Sequence, residues 1–430
     1  MINRQITRLA LPNIISNITI PLLGMVDLVI IGRLGSDTMI GGLAIGTAVF
    51  NFLYWNFSFL RMGTSGFAAQ AYGRRDLKES ARVLVRSLTV AVAIALVILA
   101  LQIPVLKLTL GFMGGEAEVN DWASDYFYMR IWTAPATLSM YALTGWFIGM
   151  QNSRTPMWIA IGINIVNIVF SLLLVIWLKM GIGGVALGTT IAQWSGVAMA
   201  LFVLVRYYGR LFNGLAGRDI FRWKAMTGFF RVNRDIFLRT ICLVAVFTYF
   251  TAASSHMGRD ILAANTLMMQ FFILFSYMMD GFAYAGEALA GRYYGAGNQS
   301  LLRLTVRALF KWGGMVALAF TAIYGLFARQ ILSIFTDSPA ILDTAADYVI
   351  WAMAVPVAGF AAFLLDGIMV GITASKIMRN SMFIATVSFF VLYFALRDSM
   401  GNNALWLAFL VYLFMRGAVQ LAASYKRILR

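Results

Sequence analysis

The sequence predicts an all-α integral membrane protein, with twelve transmembrane helices in two pseudo-symmetric six-helix bundles, and three observations predict it. First, 61% of its 430 residues are hydrophobic and 12% charged, with a mean hydropathy of +0.79, far outside the soluble globular range. Second, continuous apolar runs of the length a helix needs to span a bilayer, about 20 residues, recur twelve times. A membrane barrel would show alternating strands instead. Third, the two halves of the chain repeat one another.

The runs lie at 7–31, 38–72, 81–111, 117–148, 154–178, 183–207, 232–256, 260–293, 301–328, 338–371, 376–397 and 403–427, separated by short polar or Gly/Pro-marked turns. The 34 Lys and Arg against 18 Asp and Glu would suit a nucleic-acid binder. The bases sit at helix ends rather than on one solvated surface, however, so nucleic acid is not an expected partner. With a cytoplasmic N-terminus, 25 of them fall on inner turns, Arg239 included, six outside, and three (Arg61, Arg130, Arg416) within helices. Both termini are therefore expected in the cytoplasm; a bacterial inner membrane and a monomeric chain are separate expectations. Residues 1–6 carry no long apolar stretch with a cleavage site, so the first helix is expected to be retained. One cysteine, Cys242, precludes an intrachain disulfide.

The repeat is read from matched segments. "FAAQAYGRRDLKESARVLVRS" aligns with "ALAGRYYGAGNQSLLRLTVRA", "GMQNSR" at Gly149 with "GITASK" at Gly371, Pro135 with Pro356, and "RLGSD" with "HMGRD". All offsets fall between 221 and 223, a window too narrow for a shared taste for Gly and Arg in membrane loops. The expected domains are an N-lobe at 1–207, a basic cytoplasmic linker at 208–230 and a C-lobe at 231–430. Parallel repeats of this kind leave a central cleft suited to alternating access.

Taken in chain order, the helices carry few polar side chains, and those few are informative. Asp27 in helix 1 lies among Met25, Val26, Leu28, Val29, Ile30 and Ile31, where an unpaired charge is costly. Helix 2 sets Asn51, Tyr54, Ser58, Arg61 and Ser65 at alternating steps of three and four, one polar face. Helix 5 places Asn164, Asn167 and Ser171 on one face, and helix 6 adds Thr189 and Gln193. Together with Asp27 these form an expected polar pocket inside the first half. Position 27 maps near Phe250 in the second half, so the fold itself does not require the carboxylate. Cys242 and the lone His256 have no companions for a metal or nucleophile site. Helix 8 repeats the stripe as Tyr277, Asp280, Tyr284, Glu287 and Gly291. Intramembrane charges face a cavity or a partner by default, so both stripes are expected to line the cleft, with bracing within one bundle as the alternative. Arg61 is expected to pair across it with Asp280 or Glu287, at similar depth by counting about 1.5 Å per residue. Asp366 in helix 10 joins the cleft or gate set, although the Gly that follows it equally suits close helix packing.

No phosphate loop is present, so transport is expected to be secondary rather than ATP-driven. Neither a catalytic constellation nor a metal or cofactor site is expected. "PLLGMVDLVIIGRLG", "FLRMGTSGFAAQAYG", "SYMMDGFAYAGEALAGRYYGAG" and "DGIMVGITASKIMRNSM" resemble the multidrug and toxic compound extrusion (MATE) family, in its DinF-like branch, over essentially the whole chain. The resemblance implies two V-shaped lobes and export of organic, often cationic or lipophilic, compounds driven by a proton or sodium gradient. Residue by residue, it matches Asp27 to the helix 1 aspartate of the family's N-lobe cation site, Asn167 to the helix 5 asparagine and Thr189 to the helix 6 threonine. Ser171 stands where many relatives have a second aspartate, which favours a proton over sodium as coupling ion. A flippase of lipid-linked glycans, from the same superfamily, is the alternative; the acids at Asp27, Asp280, Glu287 and Asp366 do not favour it.

Overall fold

The computed structural model describes residues 1–33, 37–113, 116–336 and 338–428. Among them the regular elements are all helical, in the order α1 (Ile2–Gly32), α2 (Asp37–Trp55), α3 (Phe59–Gly73), α4 (Leu77–Ala100), α5 (Gln102–Met113), α6 (Ala117–Arg130), α7 (Ala134–Gly149), α8 (Arg154–Leu172) and α9 (Gly181–Val203), then a short α10 (Gly217–Ile220). There follow α11 (Trp223–His256), α12 (Arg259–Gly295), α13 (Gln299–Ser333), α14 (Pro339–Ala346), α15 (Val349–Gly371), α16 (Ser375–Met400) and α17 (Asn402–Ile428). Large apolar side chains such as Leu108, Trp177 and Leu326 stand exposed, as they do on surfaces solvated by lipid tails rather than water.

The chain forms two compact units, residues 15–229 and residues 1–14 with 230–430. In the second, the opening turns of α1 lie on α12. A Cβ added to Gly281 would meet Ile14 Cγ1 at 2.3 Å and Ala10 O at 3.0 Å, and the Tyr293 hydroxyl donates to Gln5 Oε1 at 2.6 Å.

Four of the expected runs are interrupted, each for a local reason where one is visible. In 38–72 the helix breaks at Asn56–Ser58, where Asn56 Nδ2 donates to Phe52 O at 2.6 Å and the next amides reach back only three residues, Phe57 N to Tyr54 O and Ser58 N to Trp55 O. A side-chain amide that competes for a helix carbonyl disturbs the backbone ladder at that point. In 117–148 the break is a 3₁₀ turn at Ile131–Thr133, ahead of Pro135, whose ring nitrogen has no hydrogen for the Ile131 carbonyl. Among the described residues, eleven helical stretches are long and apolar enough to cross a membrane. The run at 117–148 is the remaining one, divided into helices of 14 and 16 residues. The runs at 81–111 and 338–371 divide as α4/α5 and α14/α15.

The repeat is written into backbone geometry, within each unit separately. A Cβ on Gly145 of α7 would sit 2.2 Å from Arg61 O of α3, and one on Gly367 of α15 would sit 2.1 Å from Ala283 O of α12. One turn on, Gly149 stands against Ser65 O and Gly371 against Glu287 O. Every one of these residues maps to its counterpart with the same offset. Small residues four apart let two membrane helices touch through their backbones, where van der Waals packing rather than hydrophobic exclusion drives association. The turns after α3 and α12 repeat as well. Arg75 (φ 60°) falls on Gly297 (φ 68°), and Asp76 and Asn298 cap the next helices by accepting from Glu79 N at 2.9 Å and Leu301 N at 3.0 Å. Gly145→Ala and Gly367→Ala are expected to cost about 1–3 kcal/mol each, because a backbone carbonyl cannot swing aside as a side chain can. Gly314→Ala, with nothing within 4 Å of the added carbon, is the control. Thermal melting of the purified variants measures all three, and equal melting temperatures would refute the close-packing account.

Candidate functional site

The polar group of the first unit is assembled by α1, α8 and α9. Asp27 is 4% exposed, and Asn167, Ser171 and Thr189 are buried. Asn167 Nδ2 donates to Thr189 Oγ1 at 3.0 Å. The Thr189 hydroxyl has one proton and two acceptors in reach, Val185 O on its own helix at 3.0 Å and Asp27 Oδ2 at 3.4 Å. When that proton goes to Val185, the hydroxyl oxygen can instead accept from a protonated Asp27, so the pair accommodates the carboxyl in either form. Ser171, one helical turn from Asn167, lies against Gly188: a Cβ there would meet its Oγ at 2.5 Å. Gly188 is thus what leaves room for α8 and α9 to bring Ser171 beside Thr189. Asp27 Oδ1, Asn167 Oδ1 and Ser171 Oγ are buried oxygens without a hydrogen-bond partner among the described residues. Asn164 is half-buried and turns away, donating to Ala160 O of its own helix at 3.0 Å, and so lies apart from this group.

Arg130, at the end of α6, is the residue the sequence reading named without assigning. Its guanidinium lies 4.9 Å from the Phe50 ring centroid and 5.2 Å from that of Tyr126, donates to the Tyr126 hydroxyl, and acts on Asp27 through space. A signal for it was present: an arginine inside an apolar run whose neighbours at three and four residues, Tyr126, Phe127, Thr133 and Ala134, include no acid must find its partner elsewhere. Cation–π contact on two rings desolvates it without neutralising it.

The expected cleft residues are distributed differently from one another. The stripe of helix 2 is not one continuous face, because the break at Asn56–Ser58 rotates its two parts. Asn51 is exposed, whereas Tyr54 and Ser65 are buried, and Tyr54 shares a 2.7 Å hydrogen bond with Thr133 Oγ1. Arg61 is half-buried on α3, its carbonyl against Gly145. In the other unit Tyr277, Asp280 and Tyr284 are half-buried and Glu287 fully buried along α12. Asp366 corrects the expectation most clearly. It does not present a free carboxylate to a cleft but sits at the centre of a buried cluster. Arg239 of α11 and Arg416 of α17 both donate to its Oδ2, and Gln420 Nε2 donates to its Oδ1 at 2.6 Å. Arg239 is accordingly no inner-turn base. It is 9% exposed, within α11, where Asp366 compensates its charge.

The MatE family model matches residues 12–173 and again 236–396, once in each half. The chain belongs to the MatE family. Members of this family are transporters and not enzymes, and the MatE chain described here is a multi-pass membrane protein. It is 39% identical over 429 residues to DNA damage-inducible protein F of Escherichia coli strain K12, covering 99% of this chain and 92% of that protein. It is 24% identical over 343 residues to a protein of Pseudomonas putida described as a "Probable multidrug resistance protein NorM", covering 78% and 73%. Among solved structures, an outward-facing multidrug resistance MATE family transporter of the MOP superfamily superposes with a TM-score of 0.85 at 20% identity, covering 99% of this chain and 96% of that one.

Proposed function

We propose that this MatE protein is a secondary active exporter of organic compounds, cationic or lipophilic in character, moved out of a bacterial cytoplasm in exchange for protons by alternating access. The similarity to a multidrug resistance protein and to a bacterial DNA damage-inducible protein supports export across the inner membrane. One observation carries the coupling site: Asp27, a carboxyl enclosed by α1, α8 and α9 with neutral hydrogen-bonding side chains around it. Sodium needs several close oxygens, and hard cations are bound with carboxylate help. Here one carboxyl is joined by the oxygens of Asn167, Ser171 and Thr189, and Arg130 adds a positive field to the same region. A proton needs Asp27 alone. That asymmetry favours proton antiport over sodium antiport.

The test is transport in proteoliposomes under an imposed proton or an imposed sodium gradient, with substrates chosen from a drug-susceptibility panel in an efflux-deficient bacterium. Export is expected to follow the proton gradient. Ser171→Asp adds a second carboxyl beside Asn167 and is expected to introduce sodium sensitivity and a changed pH profile, since two interacting carboxyls titrate as a pair. Transport by the unmodified protein that follows sodium and ignores protons overturns the reading.

A further inference from the structure

We propose that the groove between α8 and α9 binds one anionic phospholipid, with the acyl tail in the groove and the phosphate held by Arg154 and Arg206. The groove has a volume of about 490 Å³ and is lined by Thr155, Trp158, Ile159, Ala198, Met199, Phe202 and Val203. Apart from the Thr155 hydroxyl, that lining is apolar. Thr155 lies in the first turn of α8 and Val203 closes α9, so the groove reaches the helix ends, where a transmembrane segment meets the headgroups. Trp158 and Phe202 are exposed along it, and a tryptophan at that depth is where interfacial anchoring places one.

The mouth is built as well as charged. Asn152, in the turn before α8, donates through Nδ2 to the Tyr208 hydroxyl at 3.2 Å and to Thr155 Oγ1 at 2.9 Å. Tyr208 in turn packs edge-on to the buried Trp146 at 5.0 Å. These contacts fasten the start of α8 to the π-helical turn Leu204–Tyr208 that follows α9. Arg154 adjoins Thr155 of the lining and Arg206 lies three residues beyond Val203, so both residues stand at this end of the groove. Both are exposed, and among the described residues neither has an acidic partner. Two guanidinium forks above an apolar slot are complementary to a phosphodiester with its tail. They repel an organic cation, which separates this groove from the transported compounds.

Full-length protein in detergent is titrated with a phosphatidylglycerol and with a phosphatidylcholine of the same chains, and bound lipid is counted by native mass spectrometry. Phosphatidylglycerol is expected to be retained preferentially. Arg154→Gln and Arg206→Gln are each expected to weaken it about fivefold, the equivalent of about 1 kcal/mol per basic residue, with phosphatidylcholine unmoved. Ala198→Phe, at an exposed position that fills the slot, is expected to lower retention of both lipids at an unchanged melting temperature. Equal retention of the two lipids, or phosphatidylglycerol binding unaffected by both arginine variants, overturns the proposal. So does tetraphenylphosphonium binding that Ala198→Phe removes, since the groove would then take organic cations.

Discussion

Asp27→Asn is expected to abolish gradient-driven export while leaving the protein folded and able to bind substrate. Asparagine has nearly the shape of aspartate and keeps an oxygen towards Thr189, whose 3.4 Å contact is long enough to tolerate an amide. What it loses is the ability to take up and release a proton. Export coupled to that proton loses its driving force completely, whereas substrate binding elsewhere keeps its contacts. Folding should not suffer, since a neutral amide in an apolar setting is cheaper to bury than a charge. The measurements are transport in proteoliposomes, equilibrium binding of a transported compound, and thermal melting. Undiminished transport at the wild-type proton dependence would remove Asp27 from the mechanism. Loss of folding would instead mean the carboxyl braces α1 against α9.

How far the sequence reached depends on whether an interaction is local. Asn167 and Ser171 share a face of α8 because residues four apart do, and the paired segments around Gly149 and Gly371 match along the sequence itself. The same offset then reappears in the contacts of Gly145 with Arg61 and Gly367 with Ala283, which no alignment of the halves could show. Breaks inside the apolar runs were missed for a different reason. Hydropathy sees Phe52 to Leu60 as one run, while the interruption comes from a single amide, Asn56, taking a carbonyl from its own helix. Pro135 could have been read as a break, but its counterpart Pro356 lies inside the continuous α15, so proline alone does not decide. Arg130 and Arg239 were the hardest to place. Each was visible as a charge, but the carboxyl it acts on, Asp27 or Asp366, lies on another helix, and the folded packing selects which one.

The Asp366 cluster shows what that selection is worth, and Asp366→Ala is expected to destabilise the second unit by about 3–5 kcal/mol, the usual cost of stranding one side of a buried ion pair. Two guanidinia, on α11 and α17, converge on one carboxylate of α15 with Gln420 completing it. Remove the carboxylate and two buried charges face each other with nothing between them, in a medium of low dielectric where water cannot screen them. The cluster is a costly way to hold three helices together, and that yields a sharper expectation. Replacing all three charges by apolar groups of similar volume, Asp366→Leu with Arg239→Met and Arg416→Met, should recover most of the lost stability, because the desolvation cost disappears together with the attraction. Thermal melting of the single and triple variants in detergent measures both steps. Wild-type melting in Asp366→Ala would mean the arginines find other partners and the cluster holds nothing together. A triple variant as unstable as the single one would show that the charges contribute net attraction beyond offsetting their own burial. Transport by a stable triple variant then separates the two carboxyls: if export persists with Asp27 intact, Asp366 is a brace and the proton route runs through the first unit.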